Sequence, residues 1–273
     1  MNEKIISVYT LTDDILITVG HHEDSQRKVS DAEVITVAVV AMRYFCGNFE
    51  KARIFLREFG YIPNMLSKSR FCRRLRLIQG LLSEIFCFLS EIWKKLNTDS
   101  VYLIDSFPVA VCDNIRIQRS KIFRGEDYRG YNASKRRYFY GLKVHMMSAA
   151  TGEPVEIFLT PGSISDTGAT KMYNYDLPAD STVYGDKAYN VYEIEELLKE
   201  TGNIRLMPIR KKNSLRKFPP YTEYLQKTTR KAAETANSLI TGMFPKSIHA
   251  VTADGFALKI FLFVLSYSFG FAI

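Results

Sequence analysis

Cysteine is scarce in this chain, with four in 273 residues. Cys46, Cys72, Cys87 and Cys112 form no CxxC pair and have no histidine at zinc-ligand spacing. That pattern argues against a structural zinc site and against a disulfide framework. Three of the four stand in apolar helical context, where a thiol acts as a small core residue. The N-terminus lacks a basic stretch followed by an apolar run and a small-residue cleavage site, so no secretory signal is read. A cytoplasmic, reducing compartment is the expectation. Internal repeats and low-complexity tracts are also missing.

Charge is not scarce. Lysine and arginine number 37 against 29 aspartates and glutamates, for a net charge of +8. This bias permits a nucleic-acid partner without demanding one. The one long apolar stretch, Phe256 to Ile273, approaches the length of a short membrane span. It carries Lys259 and two serines, and a terminal helix buried against a sheet fits it better than a membrane anchor.

Residues 1 to about 98 read as helical. Ser30-Asp31-Ala32-Glu33 has the form of a capping box ahead of the apolar run from Val34 to Phe45. Gly47-Asn48 breaks that helix, a second runs from about Phe49 to Phe59, and a third extends with interruption from Ser67 to Leu96. The third begins with Arg70, Arg73, Arg74 and Arg76 among apolar neighbours. Two readings stand for that cluster: a solvated helix face, or a recognition helix contacting phosphates as in a helix-turn-helix.

From residue 101 the pattern turns to strands. Val101-Tyr102-Leu103-Ile104 runs into Asp105, Ser106 and Phe107, and Pro108 is expected to end the strand because it has no ladder N–H. A polar, basic segment follows from Asp113 to Arg137. It includes Arg116, Arg119, Lys135, Arg136 and Arg137, with Tyr128, Tyr131 and Tyr138 interleaved or adjacent. Tyr138 to Ser148 and Pro154 to Thr160 read as a hairpin closed near Gly152. A short helix over Gly168 to Tyr175, a strand over Thr182 to Gly185, a helix over Val191 to Glu200 and a strand over Ile204 to Ile209 follow. Pro219-Pro220 then opens a long helix reaching toward Phe244. Its apolar face is read as Leu225, Ala232, Ala236, Leu239, Ile240 and Met243, opposite Lys227, Arg230, Glu234, Asn237 and Thr241. Three strands in a meander followed by alternating helices and strands make an α/β order on a mixed sheet.

Asp105 stands where a bare carboxylate is costly unless paired or metal-bound. Asp186, in Val183-Tyr184-Gly185-Asp186-Lys187, repeats that setting. With Glu234 on the late helix they form a reasonable oxygen-ligand set for Mg²⁺ or Mn²⁺, although a chain with 29 acidic residues always offers some such triplet. Asp166 reads as a helix cap, with a supporting carboxylate as the alternative, and His145 as a half-buried, hydrogen-bonded strand residue.

The ordered strings Ile104-Asp105-Ser106-Phe107-Pro108-Val109, Arg129-Gly130-Tyr131-Asn132-Ala133-Ser134-Lys135 and Phe139-Tyr140-Gly141-Leu142-Lys143-Val144-His145 continue downstream. They are followed by Leu159-Thr160-Pro161-Gly162-Ser163-Ile164-Ser165-Asp166, Gly185-Asp186-Lys187-Ala188-Tyr189, Arg210-Lys211-Lys212-Asn213 and Arg230-Lys231-Ala232-Ala233-Glu234-Thr235. In this order, from Tyr102 to about Tyr267, the chain resembles the DDE transposases of bacterial insertion sequences, most of all the insertion-sequence family numbered 982.

The resemblance implies an RNase H-like mixed sheet flanked by helices at 99–273, preceded by an all-helical N-terminal DNA-binding region at 1–98. It implies Asp105, Asp186 and Glu234 as catalytic residues and ligands of two Mg²⁺ or Mn²⁺ ions, with Arg230 matching an arginine four residues before the glutamate. Lys227 and Thr241 depart from the tyrosine and basic residue that related transposases carry on that helix. The expected partners are the element's terminal inverted repeats and target DNA, with a homodimer as the active complex and no membrane association. Expected DNA contacts are Arg70, Arg73, Arg74, Lys135, Arg136, Arg137, Lys187, Lys211, Lys212 and Arg230. The implied activity is strand cleavage and strand transfer. A nuclease without strand transfer and a DNA-binding descendant without catalysis are the alternatives.

Overall fold

The computed structural model describes residues 2–113, 117, 118, 120–132 and 135–273; Arg116 and Arg119 lie outside the described residues. Contacts divide the chain into two units. One comprises Met1–Leu89, Leu239–Ala250 and Asp254–Ile273, and the other Ser90–Ser238 with Val251–Ala253. The division read from sequence at residue 98 follows a change in periodicity, whereas this one follows which apolar faces meet.

The first unit is helical. It contains α1 (Asn2–Thr18), α2 (Asp31–Tyr44), α3 (Phe49–Glu58), α4 (Lys68–Leu77), the first turns of α5 (Gln79–Leu96) and a late helix, α9 (Ala253–Phe269). Ser30 caps α2: its hydroxyl accepts from Glu33 N–H at 3.0 Å, and the Glu33 carboxylate accepts from Ser30 N–H at 2.7 Å. From Val34 to Met42 every residue of α2 is buried, as expected of a helix apolar on all sides. The apolar stretch Phe256–Ile273 packs within this helical unit. Ser266 donates to the Val39 carbonyl of α2 at 3.2 Å, and Phe261 meets Phe86 of α5 edge-on at 5.7 Å. No single helix among the described residues is long and apolar enough to cross a membrane.

One charge in this unit is deeply buried. The Asp31 carboxylate, 1% exposed, accepts from Arg27 at 2.9 Å, from Arg74 Nε at 2.8 Å and from His21 at 3.0 Å. His21, Glu23 and Asp31 are the one group of three potential ligands whose donor atoms fall within 4.8 Å of one another among the described residues. Arg27 and Arg74 already neutralise it, so it reads as an ion-pair network that ties α4 to the start of α2.

The second unit holds a six-stranded mixed sheet: β1 (Val101–Asp113), β2 (Arg129–Asn132), β3 (Arg137–Ala149), β4 (Pro154–Pro161), β5 (Thr182–Gly185) and β6 (Arg205–Pro208). The order is β2-β3-β1-β5-β6, with β4 also on β3. Strands β1, β3 and β4 form an antiparallel meander, and β5 and β6 run parallel to β1. The α6 (Asp166–Thr170), α7 (Tyr192–Gly202) and α8 (Pro220–Gly242) helices follow the strands in the chain. The hairpin turn uses Gly152 at φ +107°, as its sequence implied. The short helix lies at Asp166–Thr170, starting two residues before the stretch read for it and ending within that stretch, because its cap is Ser165. Strand β2, inside the basic segment, was not foreseen from sequence.

Pro108 does not end β1. Thr182 N–H donates to the Ser100 carbonyl on the β5 edge, while Ala150 N–H donates to the Val101 carbonyl on the β3 edge. By alternation, even-numbered residues of β1 address the β5 edge. That ladder stops at Ile104, so the missing N–H of Pro108 falls where β5 no longer pairs, and β1 continues on β3 to Asp113.

Because Asp31 pairs with Arg27 and with the mostly buried Arg74, its removal leaves the Arg74 guanidinium poorly compensated. Asp31→Asn is expected to cost about 3 kcal/mol, and Arg74→Ala a similar amount. The double variant should lose clearly less than the sum, as measured by urea unfolding followed by far-UV circular dichroism.

Candidate active site

The register of two parallel strands sets the site. The β1–β5 ladder ends with Ile104 opposite Gly185, so the next residues on each strand are Asp105 and Asp186. Adjacent strands lie about 4.8 Å apart, and alternation turns both side chains to the face opposite Ile104. Gly185 keeps the strands close, since a Cβ there would stand 2.9 Å from Ile104 Cγ1. Asp186 stays extended (φ −74°, ψ 171°), and its carboxylate accepts from Lys187 N–H at 2.6 Å, capping a short 3-10 turn.

Helix α8 brings the third carboxylate and two further groups. Arg230, Glu234 and Asn237 follow at helical spacing of four and three, which puts them on one face. Asn237 Nδ2 donates to Asp105 Oδ2 at 2.9 Å. Arg230 donates to Asp186 Oδ1 at 3.2 Å and to Glu234 Oε1 at 3.1 Å. Every member of the triad is thus tied to α8, Asp105 through Asn237 and the other two through one guanidinium. The three carboxylates are not drawn into a single cluster; Arg230 stands between two of them.

The apolar face expected for α8 is displaced. Leu225 and Leu239 are exposed, while Thr222, Gln226, Ala233, Ala236 and Asn237 are buried. Counting apolar residues misplaces the stripe because two buried amides belong to it. Gln226 donates to the Met207 carbonyl at 3.0 Å, and Asn237 holds Asp105, so hydrogen bonds offset the burial. Asn237 is the site residue that sequence reading put on the solvent stripe.

Burial pushes the Asp105 carboxyl up to about 6; Arg230 draws it down, while the charges of Asp166 and Asp186 raise it. The opposite face of β1 carries a second network. Ser106 donates to Asp166 Oδ1 at 2.7 Å, and Lys143 donates to the same oxygen at 3.2 Å. Asp166 is therefore not the helix cap expected from sequence; Ser165 takes that role, accepting from Gly168 N–H. His145 is fully buried, accepts or donates at Thr160 Oγ1 (2.9 Å) and stacks on Phe158. Burial, first of all, pushes its imidazole down to about 4.

The basic candidates fall in both units. In the helical unit, Arg70 and Arg73 are exposed on α4, whereas Arg74 turns inward to Asp31 and Glu23. In the sheet unit, Lys135, Arg136 and Arg137 are exposed at the turn into β3, beside the cross-strand pair Tyr131–Tyr138. Lys187 is exposed next to Asp186, and Lys211 and Lys212 are exposed after β6. Arg210 is spent on Glu195 in a two-pronged pair at 2.6 and 2.7 Å.

His145 gives a pH signature. Its folded pKa lies below the value near 6.5 of an unfolded chain, so the unfolded state binds the extra proton between pH 6.5 and about 4. Stability from this residue is complete above pH 6.5 and is lost as pH falls through that window, by at most about 3 kcal/mol. His145→Gln should lose less stability than the parent chain between pH 7 and pH 4.5, whatever its stability at pH 7; equal losses in urea titrations would contradict the assignment.

A family model described as "Transposase DDE domain" matches residues 95–243, which include Asp105, Asp186, Arg230, Glu234 and Asn237. No curated protein and no solved structure matches the chain. The matched residues make up more than half of the sequence, and the chain belongs to the transposase DDE-domain family.

Proposed function

We propose that this protein is an insertion-sequence transposase of the 982 type. In this reading an RNase H-like domain cleaves the ends of a mobile DNA element and joins them to target DNA. The observation that carries the reading is the placement of Asp105 and Asp186 one residue past the last pair of two adjacent parallel strands, with Glu234 tied in from one face of α8. The sheet order supports an RNase H-like core: an antiparallel meander followed by two strands parallel to its first.

The donor set fits a hard divalent cation, because carboxylate oxygens are what Mg²⁺ and Mn²⁺ take, and no thiol or imidazole intrudes among the three residues. Asp105, Asp186 and Glu234 would hold two such ions. The ions would supply an activated water or 3′-hydroxyl and charge stabilisation for the leaving oxygen of a phosphodiester. The chain's own residues contribute orientation and charge. Asn237 fixes one oxygen of Asp105, and the main-chain N–H of Lys187 fixes one oxygen of Asp186. Lys187, Lys211 and Lys212 are exposed cations of the same unit and suit backbone phosphates, as do Lys135, Arg136 and Arg137. The exposed Arg70 and Arg73 on α4 suit end recognition by the helical region, whereas Arg74 serves the Asp31 network. A homodimer at paired element ends in the bacterial cytoplasm completes the reading.

Single variants Asp105→Asn, Asp186→Asn and Glu234→Gln are expected to keep the circular dichroism spectrum and to lower Mg²⁺-dependent cleavage by about 10³-fold or more. The substrate is plasmid DNA carrying the inverted repeats that bracket the gene. Undiminished cleavage by any of them would remove that residue from the site. Pre-cut ends incubated with a target plasmid separate a transposase, which yields joined products, from a nuclease, which does not.

A further inference from the structure

The guanidinium of Arg230 occupies the space between two of the three carboxylates. It donates to Asp186 at 3.2 Å and to Glu234 at 3.1 Å, and its side chain is 18% exposed. Its buried Nε–H meets no acceptor among the described residues. A buried donor left unpaired is costly, so this resting position satisfies the arginine incompletely. Three acidic side chains face one positive one, and the local balance is short of cation.

From this arrangement we infer that Arg230 is a built-in competitor for metal. When no metal is bound it stands in for a divalent cation between Asp186 and Glu234, and it is displaced toward a DNA phosphate when metal enters. The inference rests on the metal reading proposed above. A monovalent guanidinium holds its acceptors at about 3 Å, whereas a divalent ion requires oxygens at about 2.0–2.4 Å. Both cannot occupy the same pair of oxygens. An ion that takes Asp186 Oδ1 and Glu234 Oε1 would break at least one of the two arginine bonds and release a positive charge beside the reacting strand. Displacement in this direction couples two events by linkage: metal favours DNA, and DNA, by drawing Arg230 away, favours metal. Arg230 acts here as a positioning residue, holding Asp186 and Glu234 apart from solvent counter-ions until the substrate is present.

The test uses the full chain without DNA, titrated with MnCl₂ in a calorimeter. Arg230→Gln is expected to bind Mn²⁺ about tenfold more tightly than the parent chain, because the competitor is gone. Glu234→Gln should bind it more weakly. Arg230→Lys, which keeps one charge but cannot bridge two carboxylates, should fall between the parent chain and Arg230→Gln, and it guards against a folding defect in the glutamine variant. A second readout is the dependence of duplex DNA affinity on salt. In Mn²⁺, the parent chain should show a log–log slope steeper by about one than Arg230→Gln, and in EDTA the slopes should coincide. If Arg230→Gln binds Mn²⁺ no more tightly than the parent while Glu234→Gln weakens it, the competitor role is wrong and the metal reading stands. If the parent chain binds no Mn²⁺ at all, both are wrong.

Discussion

The site depends on the point at which two parallel strands stop pairing. β1 and β5 share four registered pairs and part after Ile104 and Gly185. At that point the backbone is still held by the ladder behind it, while the side chains ahead meet Asn237 and Arg230 of α8. Two aspartates placed one residue beyond the last pair are held by the sheet at a separation set by strand spacing. Gly185 is part of that constraint, since any side chain there would meet Ile104 and drive the strands apart. β1 runs on for nine residues beyond the end of the β5 ladder, braced by β3, so Asp105 is set within a continuous strand and not at a fraying end.

Charge balance explains the remaining arrangement. Asp105 is half-buried, and burial before any neighbouring charge raises its proton affinity. Helix α8 answers in part, with an amide on Asp105 and a guanidinium on Asp186 and Glu234. On the other face of β1, Asp166 has a full complement in Ser106 and Lys143 and serves to fix the strand. The helical unit shows the contrast: Asp31 is more deeply buried, yet two arginines and a histidine surround it. The carboxylate that is surrounded by cations reads as structural, and the three that share one guanidinium and one amide are the candidates for chemistry.

Much of this was legible in the sequence, where local signals and tertiary demand agree. The capping box at Ser30, the break at Gly47-Asn48, the strand at Thr182–Gly185 and the hairpin at Gly152 all stand where their residues imply. Failures came where tertiary context overrode a local rule. Pro108 breaks a ladder only if a partner faces its nitrogen, and β5 has already ended there. Asn237 and Gln226 are buried because each meets a specific acceptor, which no hydrophobic pattern encodes. Asp166 resembled a cap because Ser165, one residue earlier, is the cap. Strand β2 was hidden by its own polarity, since a short edge strand with a half-buried Arg129 and an exposed Tyr131 lacks a run of alternating apolar residues.

The central claim is that Asp105, Asp186 and Glu234 together hold a divalent cation. Anomalous diffraction from crystals of the protein grown in MnCl₂ tests it most directly. The account predicts manganese density ligated by Asp105 and Asp186, with Glu234 in the same coordination group and Arg230 moved off at least one of its carboxylates. Manganese found only at His21, Glu23 and Asp31, or at no site that includes Asp105 and Asp186, would contradict it.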